Sequence, residues 1–570
     1  MIKRFFKFLL RTVLWFVFIG ALFAVIAAFT MGPDVKENSV LVMDLSGSLP
    51  EEGPQNWKER LLVGEMLTTN GVMQALKKAQ TDPRIKALIV NSTYSYMGPG
   101  KAQEIRSAVK NFASASKKPV FGFLEDGGTI DYYLCSAAPR MFMPPDSDTW
   151  FTLIGIRAEI PFFKGTMEKL DVQAQIDHIG TYKSGSETYT RDSMSDSDRE
   201  QTSELLESLF DRMTKDIALD RKLDHSQVRE LVNQSPLVTQ ELKNKGLVND
   251  LLYRDQLFDL IKKELKLEEI NSISALEYQK PTFQEALDEK PDRIGLIYAT
   301  GTIMPGESYK GFGENFVGAT TVANSLRHAR DDEAVKAVVF RIDSPGGSPS
   351  ASDVIWREVK VTAGKKPVVV SMGDVAASGG YYIAMAGTKI LADPSSITGS
   401  IGVYGGKFYL KGLYEKIGIT KDIVKKGEHA DLFSDYVPFE DEEWAIIRKH
   451  MQHTYDAFTR KAAEGRKRTQ QQIHEIAQGR VWSGDQALKI GLIDRLGGLM
   501  EAVDEAKNLA KLQDFSITVY PSSRQGGLGE MITQEKGVQL PGDFNRLYHL
   551  ATILEKEPVL LLMPYRFLVN

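Results

Sequence analysis

The chain has 570 residues, 42% hydrophobic and 25% charged, which is enough apolar material for large cores and for two to four domains. A net charge of −5, with both signs spread along the sequence, argues against nucleic acid as the main partner, because such partners select a basic face. One cysteine excludes an intrachain disulfide framework and a cysteine-rich metal site.

The first predicted element is a membrane helix. Lys3, Arg4, Lys7 and Arg11 precede an uncharged run from Thr12 to Met31, and Pro33, Asp34, Lys36 and Glu37 follow it. A helix of that length crosses a hydrocarbon layer of roughly 30 Å. It also exceeds the apolar core of a cleavable signal peptide, about 7 to 15 residues. Residues 1–38 are therefore expected to be a basic cytoplasmic tip and an uncleaved single-pass anchor, with the rest of the chain across the membrane. In a Gram-negative cell this places the bulk of the chain on the periplasmic side of the inner membrane.

Beyond the anchor the chain repeats itself. Residues 79–90 (AQTDPRIKALIV) match 329–340 (ARDDEAVKAVVF), Lys118-Pro-Val matches Lys366-Pro-Val, and Tyr132-Tyr133 matches Tyr381-Tyr382. Residues 210–222 match 455–467, and GLVNDL (246–251) matches GLIDRL (491–496). The offset stays between about 245 and 250 residues, so a whole domain is duplicated, with copies at 39–255 and 295–510. Within each copy, short β-branched runs such as Val335–Ile342 and Pro367–Ser371 predict buried strands. Helical patterns such as Ala351–Ala363 separate them, so each copy is expected to be α/β with a largely parallel sheet. Cys135, in YYLCSAAP, reads as a small buried hydrophobe. Residues 256–294 are charged, weakly patterned and contain Pro281 and Pro291, which predicts a linker.

In the second copy a strand ends in Asp343-Ser344-Pro345-Gly346-Gly347-Ser348. Two glycines between a buried strand and a helix leave backbone N–H groups open to a cleft, an arrangement suited to an oxyanion. The next strand ends in Met372-Gly-Asp-Val-Ala-Ala-Ser378-Gly379-Gly380-Tyr381-Tyr382, small residues crowding a serine at a turn into an apolar helix. A tight turn for the glycine pair and a helix N-cap for Ser378 are the alternative readings, and these residues alone leave both open. His450 and His453 share a helix face without a third ligand and read as solvated, so no metal is expected. Residues 511–570 form a C-terminal extension. Its apolar run Pro558–Met563 is too short to span a bilayer, and membrane contact, a partner subunit and a docked tail all remain open for it.

SPGGS, then AASGGYY about thirty residues on, then TGSIGV (398–403), resembles the signal peptide peptidase A (protease IV) family in its long, duplicated form, and the likeness covers nearly the whole chain. The resemblance implies two tandem ClpP/crotonase-like domains and a serine–lysine dyad that needs no cofactor. It implies Ser378 as nucleophile and Lys183, in Gly180-Thr-Tyr-Lys183-Ser184, as general base. It also implies Ser400 as the group that orients the lysine. An oxyanion hole at Gly379 with Gly346 or Gly347 fits the same chemistry. The substrates so implied are signal peptides left after preprotein processing and other apolar peptides, and the assembly a homotetramer.

The duplication bears on the dyad without the resemblance. Lys183 aligns with Ala430, Ser378 with Thr129, and the SPGG loop with the glycine-poor YSYM (94–97), so each copy holds one half of a dyad. Two other functions share the expected fold class. An acyl-CoA hydratase or isomerase would need glutamate acid/base groups and no anchor. A scaffold that had lost activity would not be expected to keep Ser378, Lys183 and the glycine loops together.

Overall fold

The computed structural model describes residues 32–54, 64–145, 151–281, 290–311, 314–521 and 558–563, together with Thr12, Trp15 and Leu554. The anchor expected over 12–31 lies outside them, Thr12 and Trp15 apart. Among the described residues no helix is long and apolar enough to cross a membrane.

The first copy supplies β1 (Ser39–Asp44), β2 (Ile85–Asn91), β3 (Val120–Phe123), β4 (Arg140–Met143), β5 (Gln173–Ile179), β6 (Asp250–Leu251) and β7 (Asn271–Ser274). Its principal helices are α1 (Thr69–Thr81), α2 (Pro99–Ser116), α3 (Thr129–Cys135), α4 (Asp196–Arg221) and α5 (Arg254–Glu264). Among the described residues its sheet runs β6–β4–β3–β2–β1–β7, with every neighbouring pair parallel. β2 is buried along nearly its whole length, which is why it reads as a continuous apolar run and not as an alternation.

The second copy supplies β8 (Arg293–Thr300), β9 (Thr302–Met304), β10 (Tyr309–Gly311), β11 (Glu314–Gly318), β12 (Val335–Ser344), β13 (Gly346–Gly347) and β14 (Val368–Ala377). After these come β15 (Lys389–Ala392), β16 (Ile397–Gly399), β17 (Val403–Tyr409), β18 (Val481–Ser483), β19 (Arg495–Leu496), β20 (Ser516–Tyr520) and β21 (Val559–Leu562). Its principal helices are α6 (Ala319–Asp331), α7 (Pro349–Ala363), α8 (Gly379–Ala384), α9 (Asp441–Arg466) and α10 (Leu499–Leu509). The path β19–β15–β14–β12–β8–β20 is again parallel and repeats the order of the first sheet place for place. The chain is thus a duplicated α/β fold. β16 and β18 continue the second sheet from the far end of β14.

The match extends past the ends expected from sequence. The segment read as a linker holds α5 and β7, and the extension holds β20, each completing its copy's sheet. Leu257, Ile261, Ile273 and Tyr278 are buried, whereas Arg254, Asp255, Asp259, Lys262 and Lys263 dilute the apolar signal that would have marked them. His450 and His453 are exposed on α9. Cys135 is buried with its thiol directed at Val90 O and Phe123 O.

A third sheet, β10–β11–β9–β13–β21–β17–β5, joins the copies. β5 of the first copy pairs antiparallel with β17 of the second, from Ile179 opposite Val403 to Gln173 opposite Tyr409. That register sets the residues after Ile179 beside those before Val403.

A buried ionic cluster forms a second joint. Arg341, on β12, donates to Glu51 through Nε and Nη2, both at 3.0 Å, and to Glu104 of α2 at 2.7 Å. Asp374, on β14, accepts from Gly98 N at 3.0 Å and Lys101 N at 2.7 Å, capping the N-terminus of α2 from the other copy. Burial pushes the Glu51 carboxyl up, but Arg341 and then Lys101 outweigh it and hold the group at about 2. Burial raises Asp343 to about 6 although Lys101 lies 3.7 Å away. Asp343 and Asp374 sit immediately upstream of the glycine loop and of Ser378, so the joint fixes the strand ends that carry the site.

Candidate active site

Ser378 stands between β14 and α8 with φ +54° and ψ −114°, a conformation an L-residue adopts at a cost and one that collects at functional sites. It occupies the N-cap position of α8 yet makes no side-chain cap bond, so its hydroxyl is not used to cap the helix. Its backbone is held by Ser378 N donating to Gly399 O at 2.8 Å. The glycines that follow are needed for close approach. A Cβ on Gly380 would lie 2.5 Å from Ser344 O, and one on Gly379 would lie 3.0 Å from both Gly346 Cα and Gly347 N.

Gly346 and Gly347 form β13, with φ of +108° and +152°. A Cβ on Gly346 would stand 2.7 Å from Gly379 N, so the N–H groups of these three glycines converge beside Ser378. Gly346 N donates to Ser344 Oγ at 3.2 Å.

Lys183 arrives on the loop that leaves β5. Gly180, at φ +111°, lets this loop pass against Gln478, whose carbonyl accepts from Tyr182 N at 2.7 Å. Gly479 packs so closely that a Cβ there would lie 2.5 Å from Lys183 Cβ. From α4, Gln201 Nε2 donates to Tyr182 O at 2.8 Å, and Asp198 accepts from Ser184 Oγ at 2.6 Å. The structure brings Lys183 Nζ to 2.8 Å from Ser378 Oγ, across 195 residues of sequence. Ser400, at φ +52°, faces the same nitrogen, with its Oγ at 3.0 Å and its carbonyl oxygen at 3.1 Å. Both Lys183 and Ser378 are fully buried. Burial alone drives the Lys183 ammonium well below the ordinary lysine value, because no carboxylate faces it to oppose the shift.

All six residues singled out from the sequence therefore meet at one junction. The sequence did not point to Asp198, Gln201, Gln478 and Gly479, which hold the lysine loop. Asp198 and Gln201 read as an ordinary first helical turn after the Ser195 cap, and their use depends on a contact made only in three dimensions.

A neutral amine against a hydroxyl, beside convergent N–H groups, is the equipment for acyl transfer by a serine nucleophile. Comparison with known proteins agrees. Peptidase family S49 matches the chain twice, over residues 113–268 and 360–513, once in each copy. The chain is 34% identical to "Serine protease SPPA, chloroplastic" of Arabidopsis thaliana, over 86% of this chain and 72% of that protein. It is 30% identical to "Protease 4" of Haemophilus influenzae, over 95% of this chain and 94% of that protein. "Putative signal peptide peptidase SppA" of Enterococcus faecium is 31% identical over 46% of this chain and 77% of that protein, the proportion expected of a relative with a single copy.

Proposed function

The chain belongs to peptidase family S49, as a serine peptidase of the long, duplicated type, and from that premise we propose that Ser378 is its nucleophile and Lys183 its general base. The observation that carries this is the 2.8 Å contact between a buried amine, free of any opposing charge, and the serine hydroxyl.

A serine hydroxyl attacks only when a base removes its proton, and a lysine does this only when neutral. Neutral Lys183 accepts the Ser378 proton while its own N–H groups donate to Ser400 Oγ and Ser400 O, which aims the lone pair at the serine. Ser378 Oγ then bonds to the substrate carbonyl carbon. The oxyanion that forms is stabilised by the N–H of Gly379 and by that of Gly346 or Gly347. Collapse of the tetrahedral centre breaks the C–N bond, and the Lys183 ammonium returns the proton to the departing amine. A water molecule, deprotonated by Lys183, hydrolyses the acyl ester and regenerates Ser378.

The substrates under this reading are remnant signal peptides and other apolar peptides, cut within a ClpP/crotonase-like scaffold. The chain is held by residues 12–31 as a single-pass anchor in the bacterial inner membrane, with its catalytic copies on the periplasmic side. The basic N-terminal flank and uncharged run support the anchor. The assembly under this reading is a homotetramer. The test is an assay of the purified protein on apolar peptides beside Ser378→Ala and Lys183→Ala. Cleavage by the native chain alone is expected, and full activity in either variant refutes the dyad.

A further inference from the structure

The apolar run left unassigned by the sequence is in the active-site groove. β21 lies between β13 and β17 and pairs antiparallel with both, Leu562 and Leu561 opposite Gly346 and Gly347, Leu560 and Val559 opposite Tyr404 and Gly405. Met563 N donates to Pro345 O at 2.7 Å, and Gly406 N donates to Pro558 O at 2.9 Å. One neighbour of this strand is therefore the glycine pair of the oxyanion site, and the other follows Ser400 directly.

Its side chains alternate as in a bound extended peptide. Val559 and Leu561 enter the apolar cluster of Ile303, Ile401 and Val403, whereas Leu560 enters that of Phe316, Tyr404 and Phe408 on the other face. Met563 joins Ala377, the residue before Ser378, together with Ile397, Val481 and Leu205. The Leu561 carbonyl oxygen lies 2.0 Å from the point where a Gly346 Cβ would stand, the same point from which Gly379 N is 2.7 Å distant. With the strand seated, Ser378 and Lys183 have no exposed surface. A hydrolase whose nucleophile is sealed has to open before it turns over.

We propose that the chain's own C-terminal strand, Val559–Leu562, occupies the peptide-binding groove of the Ser378–Lys183 site, and that an apolar peptide enters as an extended strand by displacing it. This rests on the dyad assignment above. The groove takes main-chain hydrogen bonds from any sequence and apolar side chains on both faces, with an apolar pocket at the Met563 position next to Ser378. The strand is both an internal inhibitor and a template for what the enzyme cuts.

Two measurements on the full-length protein test it. Leu561→Asp places a carboxylate in an apolar groove and should release the strand, raising kcat/KM on a short fluorogenic apolar peptide about tenfold or more. Added acetyl-Pro-Val-Leu-Leu-Leu-Met-amide, the sequence of residues 558–563, should then inhibit this variant competitively. An unchanged or lower rate in a folded Leu561→Asp variant, with no inhibition by the peptide, overturns the proposal and makes β21 a permanent strand of the sheet. The second measurement covers the case of a variant that does not fold and needs no catalysis. In Ser378→Ala protein, amide exchange over residues 559–562 should rise when the same peptide is added at saturation, and unchanged protection overturns the displacement. Failure of the dyad shows separately, as activity surviving in Ser378→Ala.

Discussion

The two copies share a strand order but not a site, and the positions equivalent to the dyad show how each was committed. Where the second copy has Ser378, the first has Thr129, fully buried, with its hydroxyl 3.2 Å from both the Thr152 and Gly155 carbonyl oxygens and so engaged in holding a loop. Where the second has Gly379-Gly380, the first has Ile130-Asp131. Asp131 accepts from Ser92 Oγ, Ser95 N and Gly128 N, which turns the would-be cleft into a buried polar knot. The reverse holds for the base. Lys183 is fully buried in the interface, whereas its counterpart Ala430 sits in an exposed stretch. A duplicated frame needs only one reactive junction. Once β5 of one copy pairs with β17 of the other, each copy can lose the half it does not supply.

The sharpest way to break this comparison is to exchange the roles. Ser378→Ala should lower kcat/KM on apolar peptides by about 10⁴-fold or more and Lys183→Ala by about 10²- to 10⁴-fold. Thr129→Ala should leave the rate unchanged, and a loss there comparable to Ser378→Ala would mean that both copies react. The ionic joint gives the next largest effect. Arg341→Met leaves Glu51 and Glu104 buried without their cation and should cost about 3–5 kcal/mol of stability by denaturant titration. At the equivalent place on β2 stands Asn91, whose Oδ1 has no hydrogen-bond partner among the described residues, and Asn91→Ala should cost only about 1 kcal/mol. Equal losses at the two positions would deny that the copies differ in what holds them. Gly479→Ala follows, because its Cβ would press on Lys183 and displace the amine, for a loss of about 10²-fold in kcat with the fold intact.

How much of this was legible in the sequence follows from what each feature depends on. Ser378, Lys183 and the glycines were readable because close backbone approach and a reactive hydroxyl demand those residue types, and because the duplication shows what the other copy lacks. The pairing that unites them was not. β5 reads Gln-Ala-Gln-Ile-Asp-His-Ile, with only Ile176 fully buried, so neither a clean alternation nor a continuous apolar run marks it. β7 and β20 are short and flanked by charges, and a sheet edge places little demand on composition. For β21 the apolar run was visible but its place was not, since one of its partners is a glycine pair that leaves no side-chain complement to recognise.

The smallest expected effect tests the electrostatic side of the comparison, because Lys183 is the one group of the dyad whose burial opposes folding. A lysine whose folded pKa lies well below its unfolded value binds fewer protons when native. Stability therefore rises with pH between the two values. The penalty is complete below the folded pKa and vanishes above about 10.4, the ordinary lysine value. Lys183→Met, of similar shape but without the charge to desolvate, should be more stable than the native chain at neutral pH, and the gain should shrink as pH rises toward that limit. The same shift should appear in catalysis as an acid limb of kcat/KM well below the ordinary lysine range, rising with pH as Lys183 loses its proton. A native chain whose activity appears only near pH 10, with Lys183→Met no more stable at pH 7, would mean that the amine stays charged in its pocket. Burial would then have been offset by a partner charge, and the junction between the copies would be structural and not reactive.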